Sequence, residues 1–286
     1  MANETWTVRR LLEWTEDFLR KRQVESPRLE AQILLAHALG CKKIDLYVRH
    51  EEEPPEPQRT AFREMIRKRA EGMPVAYLVG YREFYSLQFA VTPDVLIPRP
   101  ETETLVMEAV RRIQSMVAPR VLDLGTGSGC IAIALARQHK TVRITAIDVS
   151  SSAITIATEN AARHGVTDRV TFAQGDLFAP VAGLTFDLIV SNPPYIAHGE
   201  FANLDVGVRE FESRPALDGG PDGLDFYRRI AAEVPVYFSP GGALLVEIGA
   251  TQEAAVRELF AAHLEPGPTF KDPAGRPRVV SARLRQ

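Results

Sequence analysis

The chain has 286 residues, of which 45% are hydrophobic and 25% carry a charge. That length exceeds one average domain, and the apolar content suffices for a sizeable core, so the composition agrees with a soluble protein of two parts. The formal net charge of -3 argues against a binder of duplex nucleic acid, because such proteins usually present a strong basic face.

The cysteines and the lengths of the apolar runs indicate the cellular compartment in which the chain works. The longest apolar runs have the length of strands, and the first six residues lack the basic-then-apolar order of a signal peptide. Cys41 and Cys130 fall in different predicted domains without metal-ligand spacing, and the six histidines are scattered singly. We therefore expect a reduced, cytoplasmic chain with neither a membrane span nor a metal site.

Residues 1–75 predict a small helical bundle domain. Helices are expected over residues 7–22, from the Ser26-Pro27 start onward, and over residues 57–71. This domain is a candidate for substrate recognition, separate from the rest of the chain.

Two basic clusters stand out in the helical domain, at Arg20-Lys21-Arg22 and Arg67-Lys68-Arg69. Such clusters are most often solvated helix faces. The alternative is that they contact a partner, either an acidic protein surface or RNA nearby. The sequence leaves both interpretations open.

The next segment predicts a linker and then a second domain. Residues 84–91 alternate in the manner of a hairpin strand, so residues 76–95 are expected to form a β-hairpin linker. Residues 96–286 then form the second domain in α/β order.

Five apolar runs of the second domain predict parallel strands, buried on both faces. They cover residues 121–124, 142–148, 170–176, 186–190 and 242–248, with helices near 223–234 and 252–263. A final pair of strands around residues 271–277 is expected as a hairpin.

A glycine-rich loop follows the first of these strands. Gly125-Thr126-Gly127-Ser128-Gly129 separates the strand from an apolar helix that begins near Ile131. Glycines allow the backbone to approach a ligand closely. Cys130 stands where a dinucleotide fingerprint would have its last glycine or alanine, which disfavours a nicotinamide site.

The next two strands each end in a carboxylate. Asp148 lies about twenty residues past the glycines, the place for a ribose-hydroxyl ligand. The alternative is that Asp148 caps the helix that starts near Ser150. Asp176, after the third strand, could accept from an adenine amino group, or it could be a turn residue. Together the three strand ends predict a nucleoside site.

The fourth strand ends in Asn192-Pro193-Pro194-Tyr195. The Asn192 side chain and the Pro193 carbonyl offer two acceptors in one plane, which suits a planar NH2 group, and Tyr195 can cover its flat face. The carboxyl edge of an α/β sheet is where ligands bind. The tetrapeptide is therefore typical of sites that methylate an amino group, although a simple proline turn is the alternative.

These motifs, taken together, resemble the release-factor glutamine methyltransferases, the PrmC/HemK family of S-adenosylmethionine-dependent enzymes. The resemblance covers nearly the whole chain and rests on residues 97–103 (IPRPETE), 123–129 (DLGTGSG), 192–195 (NPPY), 216–224 (ALDGGPDGL) and 247–249 (EIG). The first and fourth motifs are specific to this family, and the others are shared with many methyltransferases.

The resemblance implies a Rossmann-like, seven-stranded, mostly parallel α/β sheet with an antiparallel terminal hairpin. It implies S-adenosylmethionine as cofactor and, as substrate, the glutamine of the Gly-Gly-Gln motif in class 1 peptide chain release factors. The implied catalytic residues are Asn192, Pro193 and Tyr195, with Pro194 also contacting substrate. The implied cofactor contacts are Gly125, Thr126, Gly127, Ser128, Gly129, Asp148, Asp176, Leu177 and Asn192. Leu177 stands where some relatives carry a tryptophan against the adenine.

Two other functions remain open at this point. An adenine N-methyltransferase would use the same Asn192 corner on a base flipped out of its stack, but the charge disfavours it. A non-catalytic module could keep the nucleoside pocket as a scaffold, but the intact glycine loop and Asn192 corner disfavour that.

Overall fold

The computed structural model describes residues 5–285. Residues 1–4, on which part of the signal-peptide expectation rests, and residue 286 lie outside this range. The chain divides into two compact units, one that runs up to Gly80 and includes Asp205–Phe211, and one of Tyr81–Leu204 with the chain from Glu212 onward. Within the described range, no helix has both the length and the apolar composition to cross a membrane.

The helices and strands of the described chain follow the predicted order, with helices first and an α/β succession after them. The helices are α1 (Val8–Arg20), α2 (Pro27–Leu39), α3 (Asp45–Val48), α4 (Glu56–Ala70), α5 (Val75–Val79), α6 (Glu103–Ile113), α7 (Cys130–Gln138), α8 (Ser151–Arg163), α9 (Val206–Phe211), α10 (Asp225–Glu233) and α11 (Glu253–His263). The strands are β1 (Tyr81–Phe84), β2 (Leu87–Ala90), β3 (Arg120–Leu124), β4 (Arg143–Asp148), β5 (Val170–Gln174), β6 (Phe186–Ser191), β7 (Phe238–Glu247), β8 (Glu265–Lys271) and β9 (Pro277–Arg283).

The first unit is helical, which confirms the predicted N-terminal bundle. Helix α1 begins after Thr7, whose hydroxyl accepts from the Arg10 N–H at 3.3 Å and so caps the helix. Helix α2 begins at Pro27, where a missing N–H costs no hydrogen bond, and ends at Gly40 in the left-handed region. The apolar faces of α1 and α2 bury Leu19, Leu34 and Leu35, and α4 buries Phe62.

A late segment of the chain returns to the first unit. Helix α9 packs so closely on the α4–α5 connection that a Cβ at Gly72 would lie 2.8 Å from Val206 Cγ1. A Cβ at Gly207 would lie 3.0 Å from the Gly72 carbonyl oxygen. A side chain at either position would force its neighbours to shift, so glycine suits both. Sequence order alone gave no sign that residues beyond 200 join the N-terminal helices.

The second unit is built on a seven-stranded sheet in the order β5-β4-β3-β6-β7-β9-β8. Strands β3 to β7 are mutually parallel, and β9 pairs antiparallel with both β7 and β8. This confirms the five parallel strands and the terminal hairpin. The carboxyl ends of β3, β4, β5 and β6 therefore lie side by side at one edge of the sheet, where ligands of such folds bind.

Apolar side chains cover both faces of the sheet. Val121 and Leu188 pack on one face with helices α6 and α7, and Leu122 and Ile189 pack on the other with α10 and α11. Successive side chains of a strand point to opposite faces of the sheet. When both faces are buried, every position is apolar and the sequence is a continuous apolar run. That is why the sequence predicted these strands well.

The β1–β2 hairpin corrects one detail of the sequence analysis. Residues 84–91 do not form a single strand, because the turn lies inside them at Tyr85 and Ser86, with φ of 50° and 59°. Two successive residues in the left-handed region form the turn that matches strand twist. Asn160 of α8 then fixes the hairpin, since its side-chain oxygen accepts from Ala90 N–H at 2.8 Å and its NH2 donates to Ser128 O at 2.9 Å.

Candidate active site

A cavity of about 370 Å³ opens at the carboxyl edge of the sheet. Of the residues predicted for the site, the cavity wall includes Gly125, Thr126, Gly127, Ser128, Asp148, Asp176, Leu177, Asn192 and Pro194. Gly129, Pro193 and Tyr195 lie next to these residues in the chain but outside the wall. The strand order thus brings the glycine loop, both carboxylates and the Asn192 corner to one place.

The glycine loop turns sharply between β3 and α7. Gly127 has φ of +54°, a Cβ there would meet nothing within 4 Å, and its N–H donates to Asp148 Oδ2 at 2.8 Å. Gly129 has φ of +80°, and a Cβ there would lie 3.1 Å from Ala157 Cβ. Gly127 thus leaves room for a ligand to approach the backbone, whereas Gly129 serves the packing of α7 on α8.

Asp148 holds the loop and does not cap α8. One carboxylate oxygen accepts from Gly127 N–H and the other accepts from Ser150 N–H at 3.0 Å. The cap of α8 is Ser150, whose hydroxyl accepts from Ala153 N–H at 3.2 Å. The cap alternative for Asp148 is therefore wrong. A carboxylate has about four acceptor positions, so Asp148 can still receive hydroxyl groups of a ligand.

Asp176 and Leu177 also line the cavity. Asp176 accepts from Arg229 Nη2 at 2.7 Å in an ion pair that solvent reaches. Leu177 is buried and has φ of +45°, a region that a branched-chain residue rarely adopts. Strained residues of this kind gather at ligand sites, and Leu177 presents its side chain to the cavity wall.

Asn192 follows β6 directly. Ser191, the last residue of the strand, donates from its hydroxyl to Leu124 O at 2.9 Å, which locks β6 to β3 at this edge. The Asn192 Nδ2 group donates to Thr102 Oγ1 at 3.3 Å. Because the NH2 end of the Asn192 side chain is turned toward Thr102, the side-chain oxygen Oδ1 can accept from another donor.

The loop of residues 217–223 supports the chain that follows Asn192. Ile196 N–H donates to Leu217 O at 3.0 Å, and Gly219 N–H donates to Ile196 O at 2.9 Å. A Cβ at Gly219 would lie 2.8 Å from Tyr195 Cα, so only glycine fits there. This contact gives the Ala-Leu-Asp-Gly-Gly motif a physical role that sequence inspection missed.

Gln252 connects the same segment to the next strand end. Its NH2 group donates to Tyr195 O at 3.0 Å and to Gly223 O at 3.2 Å, and its carbonyl accepts from Gly249 N–H at 2.9 Å. A half-buried side-chain amide that bonds to three segments fixes their relative positions. No local pattern around Gln252 predicts this role.

Tyr195 packs its ring against the apolar cluster on the α10–α11 face of the sheet. Burial raises the pKa of Tyr195 to about 12. The phenol therefore stays neutral at physiological pH and cannot act as an anionic base. Its expected role, covering the flat face of the substrate group, stays a prediction.

Two carboxyl groups are buried on the strands of the sheet, Asp123 on β3 and Glu247 at the end of β7. Burial raises the pKa of Asp123 to about 7, even though Thr126 donates to Asp123 Oδ2 at 2.7 Å. Burial likewise raises the pKa of Glu247 to about 7, against the opposing effect of a hydrogen bond from Thr102. The sequence analysis missed Thr102, Glu247 and Arg99, whose residue types carry no signal of their own. Across residues 5–285, no cluster of His, Cys, Asp or Glu could hold a metal ion.

Two domain families match the chain. The family described as the PrmC N-terminal domain matches residues 10–80, and the family described as the methyltransferase small domain matches residues 103–213. The release factor glutamine methyltransferase of Rhodopirellula baltica is 47% identical over 98% of this chain and 97% of its own length. That of Geobacter sulfurreducens is 45% identical over 98% of each chain. The chain belongs to the release factor glutamine methyltransferase family.

A solved structure has a similar fold. A methyltransferase from Pyrococcus furiosus is 19% identical and superposes with a TM-score of 0.51, over 70% of this chain and 89% of that chain. The predicted family and the Rossmann-like methyltransferase sheet are thus confirmed.

The geometry of Gly127 predicts the effect of adding a side chain there. Gly127→Val is expected to abolish S-adenosylmethionine binding, measured by calorimetry, because the new side chain fills the space beside the loop. Gly165→Val is a matched control, since Gly165 has φ of +65° and equally open surroundings but lies outside the cavity wall. Gly165→Val shares the backbone strain and should keep its affinity. Unchanged affinity in Gly127→Val would refute the placement.

Asp148→Ala is expected to weaken S-adenosylmethionine binding by about 1.5–3 kcal/mol, the range for one charge-assisted hydrogen bond. Asp187→Ala is the control, because Asp187 also accepts from a backbone N–H, that of Arg120 at 2.7 Å, but at the amino ends of the strands. The control should lose thermal stability and keep its affinity. Equal affinities for the two variants would show that Asp148 serves only the loop.

Proposed function

We propose that this protein transfers a methyl group from S-adenosylmethionine to the side-chain amide nitrogen, N5, of the glutamine in the Gly-Gly-Gln motif of class 1 peptide chain release factors. The observation that carries the proposal is the Asn192 corner, placed beside a glycine loop at one cavity and oriented by Thr102. The names of the relatives that match over the whole chain support the same substrate.

The residues of the cavity fit S-adenosylmethionine. The volume of about 370 Å³ lies within the range of small-molecule sites, which is roughly 300–1,000 Å³. Gly127 leaves open space beside the backbone, and two carboxylates, Asp148 and Asp176, border the same space and can accept from hydroxyl and amino groups. When bound, the cofactor supplies a methyl group activated by its sulfonium centre.

The protein's task is to orient a weak nucleophile. The nitrogen lone pair of an amide is delocalised into its carbonyl, so alignment must compensate for low reactivity. Asn192 Oδ1 and the Pro193 carbonyl can accept from the two N–H bonds of the substrate amide and favour the positive charge that develops on its nitrogen. A nitrogen that has gained a methyl group is strongly acidic and loses its proton to water, so no strong base is needed at the corner.

An adenine amino group would fit the same two acceptors, so the corner alone does not separate the two substrates. The net charge of -3 favours the protein substrate, because enzymes that flip bases out of nucleic acid need a basic surface for the phosphates. Both cysteines, Cys41 and Cys130, are free thiols, which agrees with the reducing cytoplasm as the site of the reaction.

Mass spectrometry of a purified class 1 release factor tests the proposal directly. Incubation with the protein and S-adenosylmethionine should add one methyl group to the Gly-Gly-Gln glutamine. A parallel reaction with adenine-containing DNA and RNA should remain unmodified. Methylation of the nucleic acid alone would replace the proposal with its rival.

Asn192→Ala is expected to lower the methyl-transfer rate by about 10²–10³, the usual cost of removing one preorganised polar contact to a transition state. Cofactor affinity, measured by calorimetry, should fall much less, because the glycine loop and the carboxylates remain. Asn203→Ala, at an exposed asparagine, is the control and should keep the full rate. An Asn192→Ala variant that folds and methylates glutamine at near-normal speed would contradict the mechanism.

The helical unit is the proposed docking site for the intact release factor. Its basic clusters are partly neutralised, since Arg20 pairs with Glu16 and Asp17 and Arg69 pairs with Glu30. Arg67 pairs in the same way with Glu64 of its own helix and with Glu71, the residue that follows it. The lysines of the clusters are therefore the better candidates for contact with an acidic partner surface.

The double variant Lys21→Glu, Lys68→Glu is expected to raise KM for an intact release factor several-fold and to leave turnover of a short Gly-Gly-Gln peptide unchanged. Lys271→Glu, an exposed lysine of β8, is the control for charge reversal. Steady-state kinetics on both substrates gives the answer. Equal effects on protein and peptide, or no effect on either, would count against docking at the clusters.

A further inference from the structure

The charges on the cavity wall are uneven. Among the described residues of the wall, three carry a carboxylate: Asp94, Asp148 and Asp176. Arg99 carries the only positive charge among the described wall residues. Carboxylates suit the hydroxyl and ammonium groups of a ligand, but they repel a negative group. A ligand with a carboxylate of its own therefore has one oppositely charged partner on this wall, the Arg99 guanidinium.

A buried carboxylate holds the Arg99 guanidinium in place. Arg99 Nη2 donates to Glu212 Oε1 at 2.5 Å. Only 1% of the Glu212 side chain is exposed, whereas 30% of the Arg99 side chain is exposed. A guanidinium has five N–H bonds in a rigid, planar fork, and Glu212 accepts one of them. Arg99 thus keeps donors for a ligand, and Glu212 restrains the direction in which the fork points.

The position of Arg99 along the sheet edge corresponds to the amino-acid end of the cofactor. The strand order runs from β5 through β4 and β3 to β6. Asp176 follows β5, Asp148 ends β4, and Asn192 follows β6. The Thr102 N–H donates to Arg99 O at 3.1 Å, and the Thr102 hydroxyl accepts from Asn192 Nδ2 at 3.3 Å, so Arg99 lies toward the β6 end. Adenine, ribose, sulfonium and carboxylate follow one another in the same order along S-adenosylmethionine.

We infer that Arg99 binds the carboxylate at the amino-acid end of the cofactor, and that Glu212 is a positioning residue, which acts through Arg99 by restraining its guanidinium. A guanidinium and a carboxylate form strong, charge-assisted hydrogen bonds. With the ribose held at Asp148 and the carboxylate at Arg99, the sulfonium between them is restrained from both sides, which favours methyl transfer at the Asn192 corner. The inference rests on the proposed function, because it takes S-adenosylmethionine as the cofactor.

A purely structural role is the competing explanation, in which Arg99 serves only to neutralise the buried Glu212. Removing Arg99 alone leaves a buried charge without its partner and destabilises the fold, so that single change does not separate the two explanations. They separate when the ligand is changed as well. A residue that binds the cofactor carboxylate has no effect on a ligand without this group, whereas a residue that only supports the fold affects both ligands equally.

The experiment is calorimetry with S-adenosylhomocysteine and with its decarboxylated form, in which a hydrogen replaces the carboxylate. The wild-type protein should bind the decarboxylated form about 10- to 100-fold more weakly, as expected for the loss of one charge-assisted hydrogen bond. This comparison needs no variant.

The double variant Arg99→Gln, Glu212→Gln completes the cycle. It leaves no buried charge without a partner, because one glutamine amide can donate to the other. It should bind S-adenosylhomocysteine about 10- to 100-fold more weakly than the wild-type protein does. Its affinity for the decarboxylated form should stay within about twofold of the wild-type value.

Glu212→Gln alone tests the positioning role. It keeps the Arg99 charge and an acceptor for it, so S-adenosylhomocysteine affinity should fall less than in the double variant, with the decarboxylated form unaffected. Arg283→Gln is the matched control, because Arg283 pairs with Glu265 at 2.7 Å but lies outside the cavity wall. It should bind both ligands as the wild-type protein does. Thermal melting of each variant checks that it is folded.

Three results would overturn the inference. The first is a wild-type protein that binds the two ligands equally well, and the second is a double variant that loses affinity for both by the same factor. The third is a double variant with normal S-adenosylhomocysteine affinity and a raised KM for the Gly-Gly-Gln peptide, which would place Arg99 at the substrate. A wild-type protein that prefers the carboxylated ligand but leaves the peptide unmodified would instead refute the proposed glutamine methylation, with the Arg99 assignment intact.

Discussion

The fixed position of the chain after β6 is the constraint on which the site depends. Two acceptors in one plane can orient an amide only if both are held in place. Asn192 and Pro193 follow the end of strand β6, so the hydrogen bonds between neighbouring strands no longer hold them. Contacts from other segments of the chain hold these residues instead. Gln252 binds the Tyr195 carbonyl, and Gly219 packs against the Tyr195 backbone at a distance that only glycine permits. These contacts hold the corner without adding bulk to the cavity.

The parallel sheet brings the other parts of the site beside Asn192. Parallel strands place the ends of β3, β4 and β6 at one edge, so a glycine loop, a carboxylate and an amide from distant parts of the sequence become neighbours. The hydrogen bond from Gly127 N–H to Asp148 and that from Ser191 to Leu124 O keep these ends in register. The proposed cofactor and substrate positions thus lie on one frame.

The sequence predicted what local patterns encode. Apolar runs buried on both faces predicted the five parallel strands, and the motifs at 125–129 and 192–195 predicted part of the cavity wall, including Gly127 and Asn192. Local patterns do not encode long-range pairing, so Thr102, 90 residues before Asn192 along the chain, passed as an ordinary motif residue. The cap of α8 was ambiguous for a related reason, because Asp148 and Ser150 are both good cap residues and only geometry separates them.

The most direct test of the account is a crystal structure of the protein with S-adenosylhomocysteine and a Gly-Gly-Gln peptide. The account predicts that the glutamine amide nitrogen lies about 2.7–3.2 Å from both Asn192 Oδ1 and the Pro193 carbonyl oxygen. It also predicts that Asn192 Nδ2 stays on Thr102. A glutamine amide bound elsewhere in the cavity, or one facing the NH2 group of Asn192, would contradict it.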